Sequence, residues 1–174
     1  HFLTLEDVSA KALESLLESA QELRADALGG TALRQHLQGK TVCNLFFENS
    51  TRTRLSFELA QKRLSADVIN FSASNSSVKK GETLVDTVNN ILAMKVDMIV
   101  MRHASPGAAI FLSKKVNAKI INAGDGAHEH PTQALLDAFS MQEKLGNLKG
   151  KKIVIVGDIL HSRVALSNIF FKHS

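Results

Sequence analysis

The chain has 174 residues, of which 44% are hydrophobic, and this length allows one domain or one domain with the beginning of another. Its 21 basic and 17 acidic residues give a net charge of +4, which fits a small anionic ligand as easily as a nucleic acid. Because the basic residues are scattered and Trp and Tyr are absent, a base-stacking nucleic-acid surface is the weaker interpretation, and no apolar run approaches the roughly 20 residues of a membrane-spanning helix.

The first predicted element is an amphipathic helix from Thr4 to about Ala27. Its apolar residues recur at helical spacing and form one stripe, which is typical of a helix that packs one face against a core. Thr4 and Asp7 resemble a capping pair at its start, and the two glycines at 29–30 are expected to end it.

After this helix, apolar runs typical of buried strands alternate with helical patterns. The predicted strands are Thr41–Phe47, Asp67–Phe71, Asp97–Met101, Lys119–Asn122 and Lys152–Val156. The predicted helices are Leu55–Leu64, Glu82–Met94, Gly107–Val116, Pro131–Leu145 and a last helix from Arg163 onward. The alternation predicts an α/β fold, with an open parallel sheet, helices on both faces and right-handed crossovers.

The same pattern predicts how the chain is divided into domains. Residues 1–145 are expected to form one domain, and residues 146–150, with the sequence GNLKG, to form a hinge. Residues 151–174 are expected to begin a second α/β domain. The sequence shows no leader pattern at His1, and because it lacks an initiator methionine and stops at Ser174, we expect a chain that has been trimmed at both ends.

Cys43 is the single cysteine and lies inside an apolar run, so no intrachain disulfide can form and a buried thiol is expected. A reducing cytoplasm is therefore the expected compartment of the protein.

Polar segments follow four of the predicted strands, at the point where each strand ends. They are residues 50–54 (STRTR), 76–81 (SSVKKG), 102–103 (RH) and 125–133 (DGAHEHPTQ). In open α/β sheets, ligands bind beyond the carboxyl ends of the strands. We therefore expect these segments to meet at one cationic, donor-rich rim that binds a small anion.

The segment Ser50–Arg54 is interpreted as an anion site at the first turn of a helix, where free N–H groups and the helix dipole favour phosphate. Ser50, Thr51 and Thr53 add hydroxyl donors, and Arg52 can bind two oxygens at once with its planar fork. No GxxxxGK[ST] sequence precedes the segment, so it is not a P-loop. The alternative is an ordinary helix cap followed by two solvated arginines.

The other segments leave alternatives open. The Lys79-Lys80 pair fits a solvated basic turn, or a mobile loop whose ammonium group closes over an anion. His128 and His130 lie beside two acidic residues, but a third fixed ligand is lacking, so no metal site is predicted. A neutral His130 that donates to a carbonyl oxygen is the better interpretation, with Gln133 one helical turn away.

Four motifs together resemble those of the carbamoyltransferases: STRTR at Ser50–Arg54, SSVKKGET at Ser76–Thr83, MRH at Met101–His103 and HPTQ at His130–Gln133. The KKGET and GDGxxxHPTQ forms resemble the aspartate carbamoyltransferases rather than the ornithine enzymes. VGDILHSR at Val156–Arg163 is similar to the start of that family's second domain. The resemblance covers nearly the whole chain, and four motifs in this order and spacing are highly specific.

The resemblance implies an activity: carbamoyl phosphate and L-aspartate react to give N-carbamoyl-L-aspartate and phosphate, an early step of pyrimidine synthesis. It also implies roles for individual residues, namely phosphate binding by Ser50, Thr51, Arg52 and Thr53, carbamoyl binding by Arg102, His130 and Gln133, and aspartate binding by Lys80 and Arg163. In the family, loop residues that match Ser76 and Lys80 reach a neighbouring subunit's site. This implies a homotrimer with shared sites, and the sequence leaves open whether regulatory chains attach.

A mechanism follows from these roles. Thr53, Arg102 and His130 would act as catalytic donors to the oxyanion that forms when the aspartate amine attacks, and Arg52 and Lys80 would stabilise the departing phosphate. No metal or organic cofactor is expected. The family's second domain extends beyond this sequence, so we expect the chain as given to bind carbamoyl phosphate or phosphate weakly and to catalyse poorly. The alternatives are an ornithine-type carbamoyltransferase and a non-catalytic phosphate-binding module.

Overall fold

The computed structural model describes residues 1–6, 8–29, 34–72 and 83–173. The chain divides into two compact units. The first unit contains His1–Leu3 and Leu33–Gly126, and the second contains Thr4–Ala32 and Ala127–Ser174. The second unit is therefore built from two segments that are far apart in the sequence.

The first unit is a parallel sheet with helices on both faces. Its strands are β1 (Thr41–Phe46), β2 (Asp67–Ser72), β3 (Met98–His103) and β4 (Lys119–Asp125), and its helices are α2 (Thr51–Arg63), α3 (Leu84–Ala93) and α4 (Ala108–Ser113). The strand order is β2-β1-β3-β4, and all three strand pairs are parallel. The predicted α/β fold with an open parallel sheet is confirmed.

Alternation along the strands gives the sheet a core on each face. Cys43 and Leu45 of β1 point to one face and pack with Val88 of α3 and Leu112 of α4. Val42 and Phe46 of β1, with residues of β3 and β4, pack on the other face with Phe57 of α2. Because successive side chains of a strand point to opposite faces, one apolar run supplies both cores.

The described residues of the second unit form three helices: α1 (Ala10–Leu28), α5 (Pro131–Leu145) and α6 (Arg163–His173). An ion pair between Arg24 and Glu143 links α1 to α5, and the Arg24 guanidinium also lies 5.9 Å from the centre of the Phe139 ring. A hydrogen bond of 2.9 Å from Asn168 Nδ2 to Asp137 Oδ2 links α6 to α5. None of the helices in the described ranges is both long enough and apolar enough to cross a membrane.

Two details of the sequence prediction are wrong. The first helix begins at Ala10, with the Ser9 hydroxyl accepting from the Ala12 N–H at 3.3 Å, and not at Thr4. Residues 152–156 form no strand, and Val154 and Val156 are 82% and 90% exposed. A strand needs a neighbour to satisfy its backbone groups, and no described residue pairs with this run. The domain boundaries at 145 and 151 stay predictions.

Candidate functional site

The first turn of α2 carries donors for an anion. Ser50 stands at the N-cap with φ −143° and ψ 84°, and its side chain makes no capping bond. The Arg54 N–H is the first in the helix to bond back, to the Ser50 carbonyl at 3.1 Å. The amides of Thr51, Arg52 and Thr53 precede it, and α2 has no acidic residue in its first turn. Such a helix end attracts negative charge.

A cavity of about 100 Å³ opens beside this turn. It is lined by Phe46, Glu48, Asn49, Ser50, Thr51 and Arg54. Of the residues predicted to bind phosphate, Ser50 and Thr51 line this cavity, while Arg52 is exposed on the first turn of α2 outside the lining. Glu48 was missing from the predicted site, and Arg54 lay in the predicted segment Ser50–Arg54 without a role of its own. The sequence indicated Glu48 and Arg54 only by their position, within eight residues of the end of β1.

Pairing of β3 with β1 places Arg102 next to Phe46, which lines this cavity. Phe46 and Arg102 are partners in the β1–β3 register, and the Phe47 N–H donates to the Arg102 carbonyl at 2.9 Å. The guanidinium donates from Nε to Glu48 Oε2 at 2.8 Å, and from Nη1 to Thr53 Oγ1 at 3.5 Å and to the Ala123 carbonyl at 3.4 Å. Its side chain is only 13% exposed. Arg102 and Thr53, both predicted oxyanion donors, are therefore neighbours in the first unit.

His103 follows Arg102, and its ring is held in place by contacts with neighbouring protein groups. Its ring meets the Phe47 ring edge-on at 4.9 Å, and its Nδ1 accepts from the Ser105 N–H at 2.9 Å. Burial lowers the pKa of His103 below its usual 6.5, although the carboxylates of Glu48 and Asp125 act in the opposite direction. The neutral ring is the form that this environment stabilises.

We expect this pKa shift to make stability depend on pH. Below about pH 6.5 the unfolded chain binds a proton at His103 more readily than the folded chain, so the free energy of unfolding should fall as the pH drops through that value. Above it, the contribution should be complete. In His103→Asn the amide oxygen can still accept from Ser105, and thermal unfolding between pH 5 and 8 should show a shallower slope than in the wild type. An unchanged slope would contradict the assignment.

In the second unit, His130 stands at the N-cap of α5, directly before Pro131. The residue is 7% exposed, and its backbone N–H donates to Ser167 Oγ at 2.9 Å. Thr132 Oγ1 lies 3.3 Å from His130 Nδ1. The Thr132 hydroxyl can donate to Nδ1 or accept from it; when it donates, the ring carries its proton on Nε2, and that nitrogen can donate to a carbonyl oxygen.

Gln133 lies in the first turn of α5. Its Nε2 donates to Asp137 Oδ1 at 2.9 Å, and Asp137 Oδ2 accepts from Asn168 at 2.9 Å. The amide of Gln133 therefore has a defined orientation. Arg163 is the first residue of α6 in the same unit.

Glu129 is a fully buried carboxylate that sequence reasoning did not single out as an anchor. It accepts hydrogen bonds from the Thr4 hydroxyl, from the Leu5 N–H at 3.1 Å and from the Ser167 hydroxyl at 3.2 Å. Ser167 in turn accepts from the His130 N–H. The hydroxyl of Thr4, which the sequence assigned to a helix cap, donates to Glu129 and accepts from the Glu6 N–H at 3.0 Å, while Ser9 is the N-cap of α1.

The described part of the structure does not bring all of the predicted site residues together. Ser76 and Lys80 lie outside the described residues. Arg52 and Arg102 belong to the first unit, and His130, Gln133 and Arg163 belong to the second, so their meeting in one pocket stays a prediction. Within the part of the chain that the structure describes, no group of three or more His, Cys, Asp or Glu side chains is placed to hold a metal ion.

Comparisons with known proteins connect these features to one family. Residues 1–143 match the family described as aspartate/ornithine carbamoyltransferase, carbamoyl-P binding domain. The chain is 66% identical over 170 residues to the aspartate carbamoyltransferase catalytic subunit of Christiangramia forsetii, covering 98% of the chain and 55% of that protein. It is 81% identical over 134 residues to the subunit of the same name from Flavobacterium psychrophilum, covering 77% of the chain and 44% of that protein.

Solved structures give the same answer. Aspartate transcarbamoylase from Trypanosoma cruzi, in complex with N-(phosphonacetyl)-L-aspartic acid, superimposes with a TM-score of 0.92 at 36% identity, covering 98% of this chain and 52% of that one. The complex of that enzyme with carbamoyl phosphate and aspartate matches equally well, with a TM-score of 0.92. The chain spans about half the length of the curated relatives it matches.

Proposed function

The chain belongs to the aspartate/ornithine carbamoyltransferase family, and from this premise we propose that it forms the carbamoyl-phosphate-binding part of an aspartate carbamoyltransferase. The reaction would transfer the carbamoyl group to the amine of L-aspartate, giving N-carbamoyl-L-aspartate and phosphate in pyrimidine synthesis. The names of the relatives and the ligands of the Trypanosoma cruzi enzyme support this substrate pair.

The observation that carries the proposal is the group of donors in the first unit. Ser50 and Thr51, at the N-terminal end of α2, line the same cavity as Glu48, and Glu48 accepts from the Arg102 guanidinium at 2.8 Å. The guanidinium also reaches Thr53 Oγ1 in the first turn at 3.5 Å. A doubly charged phosphate ester matches such a site, because helix N-termini and guanidinium groups both favour oxyanions. We assign the phosphate to Ser50, Thr51, Arg52 and Thr53.

The carbamoyl group would extend from the phosphate towards Arg102 and the residues of α5. His130 would donate from Nε2 to the carbamoyl oxygen. Because Gln133 Nε2 is bonded to Asp137, its Oε1 would accept from the carbamoyl NH₂. As the aspartate amine attacks the carbamoyl carbon, Thr53, Arg102 and His130 would stabilise the negative oxygen, and loss of one such donor typically costs about 10²–10³ in rate.

Collapse of the tetrahedral intermediate breaks the bond between the carbamoyl carbon and the phosphate oxygen. The electron pair leaves on phosphate, where Arg52 and Lys80 would stabilise it, and the proton lost by the amine passes to the departing phosphate, which leaves as hydrogen phosphate. Lys80 and Arg163 would bind the aspartate carboxylates. We further propose a cytoplasmic homotrimer, in which the loop with Ser76 and Lys80 completes a neighbouring site. Attachment of regulatory chains stays an open part of this proposal.

An ornithine-type enzyme is the second candidate, because the family description covers both amines. The relatives reported above carry the aspartate name. An assay of the intact protein with each amine separates the two candidates.

Calorimetric titration of the 174-residue chain tests the binding part of the proposal. We expect carbamoyl phosphate to bind more tightly than inorganic phosphate, because the carbamoyl donors add contacts. Acetyl phosphate replaces the NH₂ by a methyl group and should bind less tightly than carbamoyl phosphate. Equal binding of carbamoyl phosphate and phosphate would favour a non-catalytic phosphate module, and no binding of either ligand at millimolar concentration would contradict the proposal.

A further inference from the structure

Two buried amide side chains lie where the sheet meets α2. Asn44 of β1 is 0% exposed and Gln61 of α2 is 6% exposed. Asn44 Nδ2 donates to Gln61 Oε1 at 3.0 Å, and Gln61 Nε2 donates to Asn44 Oδ1 at 2.8 Å. An apolar pair would fill this space without the need for matched polar partners. The amides therefore do something that burial alone does not require.

The bonds continue outward from this pair. Asn44 and Asn70 are partners in the β1–β2 register, and Asn44 Nδ2 donates to Asn70 Oδ1 at 3.0 Å. Asn70 Nδ2 donates to Glu58 Oε2 at 2.9 Å, and Lys62 Nζ donates to Glu58 Oε1 at 2.6 Å. We call Asn44, Gln61, Asn70 and Glu58 the amide network.

The hydrogen bonds of the amide network fix the orientation of each amide side chain. An ionised carboxylate only accepts hydrogen bonds, so Glu58 requires the Asn70 nitrogen to face it. The Asn70 oxygen then faces β1 and accepts from Asn44 Nδ2. This fixes the orientation of the Asn44 amide, and the Asn44 amide in turn fixes the orientation of the Gln61 amide. The network thus ties α2 at two positions, Glu58 and Gln61, to two strands of the sheet.

Directional bonds restrict the helix more than its apolar contacts do. The apolar packing between Phe57 and the sheet face that includes Val42 and Phe46 tolerates a small slide or rotation of α2. A reciprocal pair of hydrogen bonds does not, because its strength falls steeply with distance and angle. Arg52 precedes Gln61 by about 14 Å along the helix axis, at 1.5 Å per residue, so a displacement at Gln61 is carried to the first turn.

We propose that Asn44 and Gln61 are positioning residues for the anion site, because they fix the rotation and axial position of α2 and so aim its first-turn amides and Arg52 at the phosphate. The inference rests on the proposed function, since the anion is taken to be the phosphate group of carbamoyl phosphate. Neither residue touches the ligand site itself; both act through the helix.

The test separates positioning from stability. In the double variant Asn44→Leu with Gln61→Met, apolar residues of similar size replace both amides, so neither position keeps a buried group without its partner. Asn70 Oδ1 loses its Asn44 donor, but Asn70 is exposed and water can replace that donor. We expect the melting temperature to be equal to or above that of the wild type, and inorganic phosphate to bind about tenfold more weakly, because misplacement of a site by about 1 Å is costly. Calorimetry measures the affinity.

The matched control is Val88→Ala in α3, on the opposite face of the sheet. It should lower the melting temperature and leave phosphate affinity unchanged. Wild-type affinity in the double variant, or an equal loss of affinity in Val88→Ala, would overturn the inference while the proposed function stands. A wild-type chain that binds no phosphate would overturn both.

A second pair of variants keeps the test sharp if the double variant does not fold. Gln61→Asn shortens the amide by one methylene and should weaken phosphate binding. Adding Asn44→Gln restores the summed length of the two amides and should recover most of the affinity. Affinity that stays at the Gln61→Asn level would contradict the claim that these hydrogen bonds set the position of α2.

Discussion

Replacing Arg52 with alanine should weaken binding of phosphate to this chain by roughly 10- to 100-fold. Hydrogen bonds to charged groups contribute about 1.5–3 kcal/mol, and a guanidinium can form two to one phosphate. Arg52→Lys keeps the charge without the planar fork and should lose less. Titration calorimetry at constant, low ionic strength gives both affinities, and carbamoyl phosphate should show the same order.

Arg63→Ala is the matched control for this result. Arg63 is the last residue of the same helix, so its removal changes the net charge equally but at the opposite helix end. We expect a small effect that disappears when salt is added, because exposed charges at that distance are screened. If both alanine variants lose affinity equally, binding depends on net charge and the first turn of α2 is not the phosphate site.

Replacing Glu129 with alanine should destabilise the second unit by about 3 kcal/mol or more, because each buried donor left without an acceptor costs roughly 1–3 kcal/mol. Three donors lose their acceptor, namely the Thr4 hydroxyl, the Leu5 N–H and the Ser167 hydroxyl. Glu129→Gln keeps one acceptor oxygen and should be milder. Thermal unfolding followed by circular dichroism measures the change.

Asp158→Ala provides the comparison within the same unit, since the Asp158 side chain is 70% exposed. It should shift the melting temperature little. A melting temperature of Glu129→Ala that lies within a degree or two of the wild-type value would show that the three donors find other acceptors, and would contradict the assignment of Glu129 as an anchor.

Local patterns in the sequence predict much of the first unit. The apolar run at Thr41–Phe47 predicts β1, and the polar segment that follows it predicts a helix start with anion-binding donors. The strand and the helix start at Thr51 are both present, whereas binding of an anion by these donors stays a prediction. The rule that the carboxyl ends of parallel strands lie at one edge predicts that Arg102 lies at the same edge as this segment. The β1–β3 register, which pairs Arg102 with Phe46, was not predicted.

Local patterns do not predict contacts between residues that are far apart in the sequence. Thr4 resembles a helix cap, but its hydroxyl bonds to Glu129, 125 residues away. Asn44 lies inside the apolar run of β1 and has no local signal, because its partner Gln61 belongs to the next helix. The run at 152–156 has the composition of a strand, but strand formation depends on a neighbouring strand, which composition does not report.

The division of the second unit into two distant segments has a consequence for biosynthesis. Residues 4–32 leave the ribosome before residues 33–174, but α5, with which α1 forms its ion pair, begins only at Pro131. At typical rates of 5–20 residues per second, α1 waits about 5–20 s for this partner. During that interval residues 33–126 emerge and fold, while Leu13 and Leu17 of α1, which are buried in the folded chain, are exposed. Aggregation of the nascent chain or its capture by chaperones should therefore concentrate on α1.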